Sequence, residues 1–148
     1  MLKKKLFFGL ILLIVAPIIH CSSANIKTEK YNDKIVGFWE RVGDTNAGLI
    51  VKVEQLSKQD SYIGKYVYVP PKLSKLISYG DVCWQNVLSI DQNQWRGNIL
   101  RKSFNIFSNN VSVETLDAKY LLINDSVLEI YTNDQTQKWI RSKMNNEY

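Results

Sequence analysis

The chain has 148 residues with 19 basic and 14 acidic side chains, a formal charge of +5, one histidine and two cysteines. One histidine excludes a multi-histidine metal centre, and neither a Gly-Lys-Ser/Thr phosphate loop nor a GxGxxG turn occurs. The length suits a single domain.

Lys3, Lys4 and Lys5 precede an apolar run of 14 residues from Leu6 to Ile19, and the small or polar residues Cys21, Ser22, Ser23 and Ala24 follow. A basic head, a short apolar core and a small-residue zone are the layout of an export signal, so residues 1–24 are expected to direct the protein out of the cytoplasm. The run is shorter than the ~20 residues a spanning helix needs, and Pro17 interrupts it. Ser22 and Ala24 suit cleavage before Asn25. A second reading makes Cys21 the lipid-modified cysteine of a bacterial lipoprotein, although the bulky His20 sits where a small residue is wanted. The localisation expected is periplasmic or secreted, with the membrane involved only if Cys21 is lipidated or the signal stays attached.

Cleavage alters the chemistry available. Three lysines leave and no acid does, so the charge falls from +5 to +2. The remaining charges are mixed along the chain rather than gathered in a basic stripe, which argues against a nucleic-acid partner. The histidine is lost as well, and with it any Ser-His-Asp or Cys-His site. No cofactor and no metal is expected, and the protein is read as a non-enzyme. A carboxylate-based enzyme would need acids such as Asp60, Asp81 or Glu114 to converge in a cleft. Cys83, between Val82 and Trp84, reads as a small buried apolar residue; the alternative is a surface thiol that pairs with a partner.

Residues 25–34 are polar and aperiodic, a flexible lead-in. From there the hydrophobic period is two. Nine runs are strand candidates: Ile35–Arg41, Leu49–Leu56, Tyr62–Val69, Val82–Ile90, Gln94–Arg101, Val111–Leu116, Lys119–Ile123, Val127–Thr132 and Gln137–Arg141. Short Asn/Asp/Gly/Ser groups separate them, which tolerate positive φ or bond their own backbone, and hairpin-length connections imply antiparallel neighbours. Leu49, Val51 and Val53 make one apolar face against Lys52 and Glu54. Tyr62, Gly64, Tyr66 and Tyr68 share a face, as do Trp95, Gly97 and Ile99. Several strands are apolar on both faces, which fits a closed or double-layered sheet better than a flat one. The fold expected over residues 35–142 is all-β, a small antiparallel up-and-down barrel of eight or nine strands, with a β-sandwich as the alternative. Residues 143–148 are expected to be a tail.

Pro70 to Asp81 is long for a hairpin. Leu73, Leu76 and Ile77 have helical spacing, so this segment is either a helical turn lying over one barrel mouth or a connecting loop with its apolar residues packed down.

Four pieces occur in order: Gly37-x-Trp39, Tyr62-x-Gly64-Lys65, Trp95-x-Gly97-x-Ile99 and Thr136-Gln137-x-Trp139-x-Arg141. The first resembles the opening-strand signature of the lipocalins and related calycin-type barrels, and the ordered set resembles a family of small exported bacterial proteins of lipocalin-like fold. The chain departs from that family in its middle, where Cys83 stands alone instead of a cysteine pair. The resemblance implies that Trp39 plugs one barrel end, that Arg141 from the last strand crosses its ring, and that Gly37 and Trp139 belong to the same structural signature. The leading functional expectation is a non-enzymatic barrel that binds a small, partly apolar molecule in its interior, since an eight-stranded barrel has room for side chains or one such ligand.

The tryptophans Trp39, Trp95 and Trp139 read first as core anchors. The candidate ligand contacts are Tyr66, Tyr68, Trp84 and Trp95. A second function class is an envelope interaction protein or inhibitor with a filled barrel, acting through the 70–81 loop and the Phe104-Asn105-Ile106-Phe107 stretch; exposure of Phe104, Ile106 and Phe107 would favour it.

Overall fold

The computed structural model describes residues 33–56 and 61–144. Residues 1–24, read above as an export signal, together with most of the expected lead-in and Asp60, lie outside the described residues, and so does Cys21. Eight strands follow in chain order: β1 (Gly37–Val42), β2 (Ile50–Gln55), β3 (Ser61–Tyr68), β4 (Val82–Asp91), β5 (Gln94–Asn105), β6 (Asn110–Asn124), β7 (Val127–Tyr131) and β8 (Thr136–Arg141). Each pairs antiparallel with the next, and β8 returns to β1, with Trp39 opposite Arg141 and Arg41 opposite Trp139. The sheet is a closed up-and-down barrel. Closure removes both sheet edges, and with them the sandwich alternative.

Eight strands rather than nine are present because Val111–Leu116 and Lys119–Ile123 are one strand, β6. Asp117 and Ala118, which interrupt the apolar pattern, do not turn the chain. Asp117 faces outward and accepts a bond from Asn98 Nδ2 at 2.9 Å, while Ala118 is buried opposite Gly97.

An eight-stranded barrel has an interior just wide enough for side chains or one small ligand. Here aromatic rings occupy most of it. Trp39, Trp84, Trp95, Trp139 and Tyr120 are buried, and Trp84 meets Tyr120 and Trp139 edge-on at centroid distances of 5.4 and 5.0 Å. Leu49, Val51, Val53, Leu128 and Ile130 fill the space between them. Cys83 is buried too, as its apolar neighbours predict.

The two barrel ends differ. One is sealed by residues 33–36, which precede β1. Trp39 Nε1 donates to Ile35 O at 2.8 Å, and Tyr62 donates its hydroxyl proton to Asp33 at 3.0 Å. The Arg141 guanidinium lies 4.0 Å from the Trp39 ring centroid and donates to Val36 O, Lys34 O and Asp125 O at 2.7, 2.6 and 3.3 Å. Gly37 makes that approach feasible: at φ +125° it adopts backbone that side chains disfavour, and a Cβ there would lie 2.7 Å from Arg141 Nη1.

The other end is the mouth. It is framed by the β1–β2 turn, the 69–81 segment, the β7–β8 turn and the β5–β6 hairpin. The hairpin is the longest element. Its last strand neighbours outside itself are Trp84, opposite Ile99, and Tyr131, opposite Lys119, yet its own pairing runs on to Asn105 and Asn110. At ~3.3 Å per residue the ribbon beyond Ile99 projects about 20 Å.

Candidate functional site

Period-two alternation carries two polar side chains into the barrel. Arg41 follows Trp39 by two positions on β1, and Gln137 precedes Trp139 by two on β8, so both share the tryptophans' inward face. They are 6% and 2% exposed. A guanidinium removed from water must be compensated. Asp44, in the turn after β1, supplies part of this: its Oδ2 accepts from Arg41 Nε at 2.8 Å and pairs with Nη2 at 2.7 Å, while Asn46 N–H holds its Oδ1 at 2.9 Å. The Trp139 ring, 5.7 Å from the Arg41 carbon, adds a weaker cation–π contact. Gln137 accepts from Trp139 Nε1 at 3.3 Å.

Arg41, Gln137 and Trp139 border a cavity of about 110 Å³ at the mouth. Trp84, Trp139, Tyr66 and Ile99 form its inner walls. Gly64 lets Trp84 take its place, since a Cβ there would stand 2.9 Å from Val51 Cγ1 and 3.1 Å from Trp84 Cβ. The Tyr66 hydroxyl meets the Cys83 thiol, and Cys83 donates to Gly64 O at 3.4 Å. Burial raises both groups well above their ordinary pKa values, so both stay neutral at physiological pH.

The 69–81 segment closes over this cavity. A 3₁₀ turn at Pro71–Leu73 starts it, and Ile77 N–H reaches back to Leu73 O at 3.0 Å. Leu73, Leu76 and Ile77 face the cavity, so the helical spacing marks residues packed down over the mouth. At the rim Arg101 bridges Glu114 and Asp134 at 2.7 and 2.5 Å, and Lys102 meets Asp81 at 2.5 Å. Burial pushes the Asp81 carboxyl up, but the Lys102 ammonium and the Ser78 N–H outweigh it and hold the group below its ordinary value.

Of the four sequence-derived contacts, Tyr66 and Trp84 line this cavity. Tyr68 faces outward and is 47% exposed, because a bulge between Ile50 and Val51 breaks the alternation there. It borders an open surface groove with Phe38 and Tyr79. Trp95 is buried opposite Tyr120, away from the cavity. Its Nε1 is the one fully enclosed side-chain nitrogen or oxygen without a partner among the described residues. Arg41 and Gln137 were not among the four, although their two-residue offsets from Trp39 and Trp139 were present in the sequence.

Asp81 and Glu114 are both engaged in ion pairs at the rim. Among the described residues, no group of three His, Cys, Asp or Glu side chains is placed to hold a metal, and no helix is long and apolar enough to cross a membrane.

The class defined by this architecture is a closed eight-stranded antiparallel barrel with a small polar-apolar cavity at one mouth. Comparison with protein families, with curated proteins and with solved structures finds no match.

Proposed function

We propose that this is an exported, non-catalytic barrel that takes a small, partly apolar molecule into the cavity at its mouth. The observation that carries the reading is the cavity lining, where a buried guanidinium and a buried carboxamide stand among tryptophan, leucine and isoleucine side chains. Binding sites have this composition, apolar walls with a few placed polar groups. Its size sets a bound. A dry cavity of about 150 Å³ accepts benzene, so 110 Å³ admits roughly four or five non-hydrogen atoms inside the protein. Long-chain lipids are excluded from the closed interior. A panel of water-soluble compounds of that size, acids, amides and alcohols, tests the reading through tryptophan fluorescence, because Trp84 and Trp139 both face the cavity. A saturable change with at least one compound is expected. No response to any of them would overturn the reading.

One observation favours a second reading, an interaction protein working through its loops. At the tip of the β5–β6 hairpin Phe104, Ile106 and Phe107 are 51%, 82% and 102% exposed. Contiguous apolar surface of this kind usually marks an interface. Replacing Ile106 and Phe107 with Ser leaves the barrel untouched, because neither packs into it. Loss of a photo-crosslinked envelope partner in that variant would support this reading; an unchanged crosslink would oppose it.

A further inference from the structure

We infer that the molecule held at the mouth is a small carboxylate, bound by Arg41 and Gln137. This rests on the ligand-binding reading above and assigns its chemical class. Asp44 Oδ2 takes the hydrogen bond from Arg41 Nε and pairs with Nη2, and Nη1 has no hydrogen bond among the described residues. Gln137 uses its Oε1 on Trp139, and its Nε2 has no acceptor among the described residues. Neither nitrogen is fully enclosed, so both keep contact with open space, and both side chains line the same cavity. The site therefore presents two unmatched donors, one of them cationic. A ligand that satisfies them must offer acceptors, and a carboxylate offers two in one plane with the complementary charge.

The other charges at the mouth do not reverse this preference. Asp44, Asp81, Glu114 and Asp134 have 33%, 25%, 54% and 44% of their side chains exposed, whereas Arg41 has 8%. Exposed charges are screened by water and salt, and buried ones much less. Asp81, Glu114 and Asp134 are moreover taken up by Lys102 and Arg101. Asp44 offsets part of the Arg41 charge, but the charged side chains that line the cavity are all cationic, Arg41, Arg101 and Lys102. The cavity's apolar wall of Leu73 and Ile77 then accommodates a short hydrocarbon tail, which makes the ligand about the size of acetate or propionate.

Titration calorimetry of the full chain with propionate, and with propionamide as its neutral counterpart, tests the assignment. Propionate is expected to bind about ten- to a hundredfold more tightly, the difference made by charge-assisted bonds to a buried cation. Arg41→Met is expected to erase that preference by weakening propionate at least tenfold while leaving propionamide within about threefold. The comparison of the two compounds on the unaltered protein needs no variant, so a folding defect in Arg41→Met does not spoil it. If propionamide or butanol binds as well as propionate, the carboxylate assignment fails and the ligand-binding reading stands. If no compound binds, both fail.

Discussion

Strands β1 and β8 meet in two reciprocal pairs: Trp39 opposite Arg141 near one end of the barrel, and Arg41 opposite Trp139 near the other. The residue types are the same and the outcomes differ. Arg141 lies close over its indole, and backbone carbonyls take up its donors on three sides. Arg41 stands farther from its indole, shares one carboxylate, and keeps a free donor beside a cavity. A satisfied arginine closes one end of the barrel, and a partly satisfied one leaves a donor beside the cavity at the other.

The largest expected effect tests the sealed end. Trp39→Ala empties a fully buried site, and denaturant unfolding should show a loss of about 3–5 kcal/mol. Next comes the direct contrast between the arginines. Arg141→Met strands carbonyls of residues 34, 36 and 125, and is expected to cost about 1–3 kcal/mol. Arg41→Met removes a buried cation but leaves Asp44 without its partner; because a third of that carboxylate side chain already meets water, the expected loss is below about 1 kcal/mol. Equal losses would break the comparison. Gly37→Ala forces a Cβ onto Arg141 Nη1 and should cost about 1–3 kcal/mol. In the Arg141→Met background part of that cost should vanish, and strict additivity in a double-mutant cycle would deny that the two residues act together.

The smallest effect lies in the mouth rim. The Asp81 carboxyl is held below its ordinary value in the folded protein, so its contribution is present above the unfolded pKa of ~3.9. It is lost as pH falls through the depressed folded value. Hydrogen exchange at Ser78 N–H, which bonds Asp81 Oδ2 at 2.7 Å, should accelerate relative to Ile130 N–H in the barrel wall over that acid range. Asp81→Asn should abolish the difference.

Much of the barrel was legible because period two survives in most strands: Leu49, Val51 and Val53 face inward as their alternation requires, and so do Trp95 and Ile99. Alternation is also where legibility stopped. The bulge at Ile50/Val51 turns Tyr68 outward without any turn residue to announce it, and the Asp117-Ala118 step looks like a break although the strand runs through it. The contact of residues 39 and 141 followed from a resemblance and not from spacing, since 102 residues separate them. Arg41 and Gln137 escaped for a different reason. A polar residue on a strand is normally assigned to solvent, and only its phase relative to Trp39 and Trp139 shows that the interior face carries it.

The contrast between the two ends is tested most directly on the unaltered protein by following the indole N–H resonances during titration with propionate. The Trp139 N–H, bonded to Gln137 at the mouth, should shift saturably, while the Trp39 N–H, bonded to Ile35 behind the seal, stays in place. A Trp39 resonance that moves while Trp139 stands still would contradict the account.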